Sequence, residues 1–479
     1  MSFAELYQLA VLLGSFLLLT VLAMRGRSIF VAAPLSAAVA MIFSGVDPVA
    51  GMTGPFMQGF ADYLRRFFLI FALGAAFGKL MEQSGAARSI AAASMRLLGP
   101  RWALLAVVLA CAVMTYGGVS LFVVGFSVYP LAVQLFREAN LPRRLIPGAI
   151  AFGSVTFTMT TAGSPEIQNL IPIEYLVDAA TKVSLTDARA GWPASLIVAA
   201  AMFALGQVYL QWELRRSLRR GERFEARPGD AALEGDDRPL PGAAASLAPL
   251  AVTLLALNLL PPLVPWLGEM TLSLTGEGPA ADWVRAAVEH FPRDNALATV
   301  AVLLGVATAL AVLGRRVASP WEAVSTGFVN GLLAIGATCS VVGFGEALKE
   351  LPAFQKIVDW VTHIPGDPLI GAGVAVAVIA GLAGSASGGQ VIALKIIKPL
   401  FIDELGVAPR ALHRVVSIAS GSLDTLPANG YVVMLIRNIC GETHGSAYWP
   451  LCVTCTIVPA IGTALAIALF KLFPAWQYM

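Results

Sequence analysis

The sequence predicts an all-α polytopic membrane protein made of two inverted-topology repeats that contain broken helices and re-entrant hairpins. Three features predict this fold class: the scarcity of charge, the number of long apolar segments, and a set of motifs that recurs in both halves. Of 479 residues, 57% are hydrophobic and only 13% are charged, and the mean hydropathy is +0.75. Soluble domains usually carry about a quarter charged residues, so this chain cannot cover a water-facing surface.

Apolar segments that approach the roughly 20 residues of a membrane span occur along the whole chain. We predict spans at 6–24, 29–45, 67–81, 102–115, 119–136, 145–160, 192–212, 246–266, 296–314, 322–343, 368–384, 390–402, 411–435 and 451–473. Several are short or contain glycine, proline and hydroxylated residues, which is typical of broken helices or re-entrant hairpins. No basic region precedes the first segment, which we interpret as a retained helix rather than a cleavable signal.

Arginine-rich loops set the predicted orientation, because such loops remain in the cytoplasm. The arginines at 25–27, 214–240 and 315–316 fall on one side of the membrane if the spans alternate. The opposite side receives the acidic segment 267–294. This pattern predicts an external N-terminus.

The central polar segment divides the chain into an N-terminal membrane repeat (1–213), a cytoplasmic linker (214–244) and a C-terminal membrane repeat (245–479). Each half holds about seven candidate spans, and an odd number gives the second half the opposite orientation. Three motifs recur in the same order, which supports an internal repeat. They are Tyr116-Gly117-Gly118 with Ser387-Gly388-Gly389, Pro142–Leu145 with Pro409–Leu412, and Gly153-Ser154 with Gly421-Ser422.

Four stretches interrupt apolar segments with small and hydroxylated residues: Thr115–Ser120, Thr158–Asn169, Gly384–Gln390 and Ser417–Gly430. The backbone groups that such breaks release must line a protein or water cavity. Free N–H groups at broken helix ends favour an anion. Matched breaks in two inverted halves therefore predict one anion site near the bilayer midplane. The alternative is that these small residues only allow close helix packing.

We expect the substrate to be bound by residues in these four stretches. They are Tyr116, Gly117, Gly118, Ser120, Thr160, Thr161, Ser164, Ser385, Ser387, Gly388, Gly389, Ser422, Thr425 and Asn429.

Two carboxylates inside predicted spans, Asp424 and Glu166, are candidates for coupling to a cation. Charged groups within a membrane are costly and usually functional. Either residue can carry a proton, and Asp424 can alternatively ligate Na⁺. The other interpretation is structural, with each carboxylate held by backbone N–H groups or an arginine. His413 is expected at the membrane interface, and Lys395 either snorkels or faces the site.

No catalytic or cofactor motif is present, so we predict neither an enzyme nor a cofactor. The pair Cys452 and Cys455 is interpreted as helix packing, and no dedicated metal site is expected apart from Na⁺ at Asp424. A net charge of +2 gives no indication of nucleic-acid binding.

The stretches Gly384–Gly389, His413–Gly421 and Leu423–Gly430 resemble the gluconate permease (GntP-type) family, particularly its hydroxybutyrate and citrate-type permeases. The resemblance implies a secondary transporter of small organic anions within the ion-transporter superfamily. It also implies a homodimer with a scaffold domain and a moving transport domain that carries two hairpins. Family members often have a His- and Pro-rich segment where this chain has Thr158–Pro165, which leaves the substrate open.

The sequence thus predicts a bacterial inner-membrane symporter. It would import a small organic anion, such as a hydroxy acid, sugar acid or other carboxylate, with H⁺ by elevator-type alternating access. Na⁺ coupling is the alternative. An anion channel is disfavoured because the polar residues cluster at breaks rather than along whole helix faces.

Overall fold

The computed structural model describes residues 2–25, 27–98, 102–119, 121–226, 239–275, 282–286, 294–354, 356, 360, 364, 366–427 and 429–479. The regular secondary structure of these residues is helical, and six of the helices are long and apolar enough to cross a membrane. The prediction of an all-α polytopic membrane protein is confirmed.

The first half begins with three helices separated by short turns. They are α1 (Phe3–Met24), α2 (Ile29–Ser44) and α3 (Pro48–Gly51), the last of which continues through a π-helical turn (Met52–Phe56) into α4 (Met57–Gln83). The remaining helices are α5 (Ala86–Leu98), α6 (Ala103–Tyr116), α7 (Leu121–Glu138), α8 (Ile146–Ala151) with a π-helical end (Phe152–Thr156), α9 (Ile167–Tyr175) and α10 (Trp192–Arg219).

The second half also contains long helices and broken helices. Its first helices are α11 (Ala243–Thr275), α12 (Asp294–Leu313), α13 (Pro320–Leu348) and α14 (Pro368–Ala383). They are followed by α15 (Ala386–Lys398) with a π-helical end (Pro399–Glu404), α16 (Pro409–Leu423), α17 (Gly430–Val433) with a π-helical end (Met434–Ile439), α18 (His444–Cys452), a π-helical turn (Val453–Ile457) and α19 (Val458–Leu472).

Glycine and proline end the helices where the sequence predicts breaks. Gly384 adopts a left-handed conformation (φ 63°) and ends α14, after which Ser385 caps α15 by accepting a hydrogen bond from the N–H of Gly388 (3.2 Å). A side chain with a Cβ rarely adopts that backbone conformation, so glycine suits this sharp turn. The predicted spans at 145–160 and 411–435 are likewise interrupted, since their helices end at Thr156 and Leu423.

The helices form two groups that pack mainly within themselves. The frame helices are α1, α2, α4, α11, α12 and α13, and the broken-helix bundle comprises α6–α10 and α14–α19. At the centre of the frame, α4 and α13 lie in close antiparallel contact. Gly343 lies against Gly59 and the earlier residue Gly331 lies against the later residue Ala72, which shows the opposite directions of the two helices. The predicted linker at 214–244 overlaps the ends of α10 and α11, and the inverted relation of the halves stays a prediction.

The contact between α4 and α13 depends on the absence of a side chain at Gly331. A Cβ there would lie 2.7 Å from the Cα of Ala72, so we expect Gly331→Ala to destabilise the protein by about 1–3 kcal/mol through overpacking. The matched control is Gly14→Ala on the exposed surface of α1, where a Cβ would meet no atom within 4 Å. Thermal unfolding of the purified variants measures the difference, and equal stability of both would contradict this close packing.

Candidate functional site

A cavity of about 250 Å³ lies between the frame helices and the broken-helix bundle. Its frame side includes Phe71 of α4 and Thr338 of α13. Its bundle side is formed by the breaks that follow α8, α14 and α16. Three of the four interrupted stretches in the sequence therefore meet around one space.

Asp424 lies in this cavity directly after α16. Its carboxyl group faces the backbone N–H of Ala386 at the start of α15. The Oδ1 atom is buried and accepts no hydrogen bond from a described residue, and Asp424 makes no ion pair within the same part of the chain. A buried carboxylate oxygen without a partner is costly unless it binds a cation or a proton.

The two breaks of the second half are fastened to each other beside Asp424. The Asn429 side chain donates a hydrogen bond to the Gly384 carbonyl (3.1 Å) and accepts one from the N–H of Val432 (3.1 Å). It therefore caps the start of α17 while it holds the turn between α14 and α15. This arrangement makes Asn429 a positioning residue for both breaks.

Hydroxyl and amide groups supply the polar lining. Ser385 and Ser387 have their hydroxyl oxygens 3.3 Å apart at the start of α15. The Thr425 hydroxyl donates to the Cys455 carbonyl (2.8 Å), and Gln168 lines the wall formed by the first half. The Oε1 atom of Gln168 is buried without a hydrogen bond from any described residue.

Six predicted residues line this cavity: Thr160, Ser385, Ser387, Asp424, Thr425 and Asn429. Others lie near the breaks without lining it: Tyr116, Gly117, Thr161, Ser164, Gly388, Gly389 and Ser422. Gly389 packs against Ala380 of the adjoining helix, which favours the packing interpretation at that position. Ser120 lies outside the described residues.

Glu166 and Gly118 line a second, smaller cavity of about 90 Å³. Both cavities contact Phe71, Leu121 and Ile167, so they share a wall. Glu166 is buried at the start of α9, its side chain does not cap that helix, and it makes no ion pair within the described ranges. The two predicted coupling carboxylates therefore occupy neighbouring cavities and not one.

The position of His413 at the membrane interface stays a prediction, and its side chain is fully buried within the protein. Its ring nitrogens contact the Thr186 hydroxyl (2.8 Å) and the Asn169 side-chain oxygen (3.2 Å). The Arg414 guanidinium is also fully buried and donates to the carbonyls of Ala190 and Thr160. Helix α16 is thereby joined to the interrupted stretch of the first half.

Lys395 does not line the cavity but pairs with Glu346 of α13 (2.6 Å). A second ion pair joins Arg66 of α4 to Glu174 of α9 (3.0 Å). The ring of Tyr175 lies within 6 Å of both cations, at 5.0 Å from Arg66 and 5.8 Å from Lys395. These contacts fasten the frame helices to the bundle at one side of the cavity.

The sequence analysis did not identify Phe71, Thr338, Tyr431 or Gln168 as site residues. Phe71 and Thr338 belong to uninterrupted helices, where nothing in the local pattern separates a cavity-lining residue from a packing residue. Gln168 lies inside an interrupted stretch, so that stretch was the available signal. No lysine, arginine or histidine lines the cavity among the described residues.

Comparisons with known proteins agree with a transport fold. The family profile of GntP family permeases matches residues 6–216. The uncharacterized transporter YxjC of Bacillus subtilis (strain 168) is 34% identical over 485 residues, which cover 97% of this chain and 99% of YxjC. The solved structure of the Alcanivorax borkumensis YdaH transporter, reported to have an unusual topology, is similar with a TM-score of 0.56. That match has 14% identity and covers 89% of this chain and 90% of YdaH, so it concerns the fold alone.

Proposed function

This chain belongs to the GntP permease family and is a multi-pass membrane transporter, and from that premise we propose that it is a secondary active symporter. It imports a small organic anion together with a cation across a bacterial inner membrane. The observation that carries the proposal is Asp424, a carboxylate without a charge partner in a cavity bounded by three helix breaks.

Charge balance within the cavity supports coupled entry of an anion and a cation. No cationic side chain of the described residues lines the space, whereas Asp424 brings a negative charge into it. A substrate carboxylate placed beside an ionised Asp424 would be repelled. One proton or Na⁺ at Asp424 removes this repulsion, and the positive end of the α15 helix dipole then favours the substrate anion.

The position of the cavity supports an elevator-type movement. It lies between the frame helices and the broken-helix bundle, so a displacement of the bundle would carry the polar breaks along the frame. The frame side is mostly apolar, with Phe71, Ala334 and Val341 facing the cavity. That apolar surface offers few hydrogen bonds to break, whereas the ion pairs Lys395–Glu346 and Arg66–Glu174 would have to open during the movement. The frame then corresponds to a scaffold domain, and a homodimer formed through it remains part of the proposal.

The proton is the first candidate for the coupling cation, because a protonated Asp424 requires no further ligand. Na⁺ is the alternative, since Ser385, Thr425 and Asn429 line the same cavity and add hard oxygen atoms around the carboxylate. The substrate class comprises hydroxy acids, sugar acids and other small carboxylates.

Uptake into proteoliposomes tests this function. The purified protein is reconstituted and assayed with radiolabelled hydroxybutyrate, gluconate and citrate under an inward H⁺ gradient, an inward Na⁺ gradient, or neither. We expect internal substrate to exceed its external concentration only when one of the gradients is imposed. Rapid equilibration without accumulation under both gradients would instead indicate a channel or a uniporter.

A further inference from the structure

Another cavity, of about 220 Å³, lies away from the proposed transport site at the ends of α4 and α12. Three arginines line it: Arg88 of α5, and Arg315 and Arg316 of the turn that follows α12. Ser84 and Gly85, in the turn between α4 and α5, and Leu240 complete much of the wall. This group is called the arginine pocket below.

The arginine pocket has no counter-charge among the described residues. Arg88 and Arg315 form no hydrogen bond or ion pair with a described residue, and among those residues Arg316 donates only to the Pro239 carbonyl (2.8 Å). Glu82, the described carboxylate next to the pocket residue Gln83, is already paired with Lys79 (3.0 Å). Like charges that converge without a partner repel one another, so the pocket favours an anion.

The surroundings of the pocket indicate what kind of anion it receives. The pocket lies where α12 ends, and Val312, one turn before Arg316, is exposed and apolar together with Leu310. Acyl chains can lie along that surface while a phosphate reaches the guanidinium groups. The arginine-rich loops assign this end of the protein to the cytoplasmic side, where basic pockets between membrane helices bind anionic headgroups.

We propose that the arginine pocket binds the headgroup of an anionic phospholipid. The phosphate lies between Arg88, Arg315 and Arg316, and the acyl chains extend along the exposed side of α12. Because Arg88 is on α5 and the other two arginines follow α12, one lipid joins two elements that are distant in sequence. The proposal does not depend on the identity of the transported substrate.

Native mass spectrometry of the detergent-purified full-length protein tests the site. The protein is mixed with equal amounts of phosphatidylglycerol and phosphatidylcholine, and bound lipids are counted. We expect phosphatidylglycerol to be retained preferentially. The double variant Arg88→Gln/Arg315→Gln should bind it about 25-fold more weakly, since each arginine near a membrane surface contributes roughly a fivefold factor. Neither arginine makes a hydrogen bond or ion pair to a described residue that the substitution would remove.

The matched control is Arg215→Gln/Arg219→Gln, which removes the same charge from exposed positions at the end of α10 and should retain the wild-type preference. Glycerol 1-phosphate, added at the same concentration as the lipid, tests whether the pocket binds any small phosphate compound. We expect it not to displace phosphatidylglycerol. Equal lipid retention by the two double variants would overturn the proposal, as would displacement of phosphatidylglycerol by glycerol 1-phosphate. If the pocket variant is recovered poorly, Arg315→Gln alone supplies the same comparison with Arg215→Gln.

Discussion

Replacement of Asp424 by asparagine should abolish gradient-driven accumulation of substrate, leaving internal substrate at its external concentration. The amide has nearly the same shape as the carboxyl group but can neither take up a proton nor bring a negative charge to Na⁺. The cavity of the variant would therefore hold no carboxylate at position 424 to bind the co-transported cation. Exchange of internal for external substrate should continue, because exchange needs no net movement of the cation.

The measurement is uptake per folded transporter, with imposed H⁺ and Na⁺ gradients and with substrate-loaded liposomes for exchange. Asp403→Asn is the matched control, since that carboxylate lies outside the cavity and pairs with Lys398 at 2.9 Å. A purely structural role for Asp424 predicts another result, in which less protein folds but the folded fraction still accumulates substrate. Normal accumulation by Asp424→Asn under both gradients would remove this residue from the coupling mechanism.

Replacement of Arg414 by methionine should cost about 3 kcal/mol or more of stability, because it leaves buried carbonyls of Ala190 and Thr160 without donors. Thr160 lies in the interrupted stretch of the first half and lines the cavity. The substitution should therefore also loosen the wall of the site. We expect a large fall in the yield of folded protein and weaker substrate binding by the remainder.

Arg410→Met is the control on the same helix, four residues earlier. Arg410 pairs with Asp187 at 2.7 Å, but both side chains are about one-third exposed, so its loss should cost no more than about 1 kcal/mol. Fluorescence-detected size-exclusion after graded heating compares the two variants. If Arg414→Met were as stable as Arg410→Met, the buried guanidinium would not hold the two halves together.

The amino-acid composition indicates that this protein lies in a lipid bilayer, and local residue patterns indicate where its helices break. A chain with so few charged residues must expose much of its surface to lipid, and this conclusion does not depend on how its helices pack. Gly384 ends a helix because glycine readily adopts a left-handed backbone conformation. Ser385 caps the next helix by accepting a hydrogen bond from the N–H three residues later. These are short-range effects, so a local pattern carries them.

Three of the four interrupted stretches also line one cavity, and their role as a substrate site stays a prediction. The sequence indicated Asp424 as a functional residue because a charged side chain inside a membrane segment costs free energy in any fold and is therefore rare.

Which side chains face the cavity depends on tertiary packing. Thr160 and Thr161 are neighbours with the same chemistry, yet only Thr160 lines it. Phe71 and Thr338 reach the cavity because α4 and α13 pack closely together, and their local sequence does not show this. Likewise, His413 becomes fully buried through contacts with Thr186 and Asn169, more than 200 positions away. Contacts between residues so distant in the chain depend on how the two halves interlock, which a local sequence pattern does not specify.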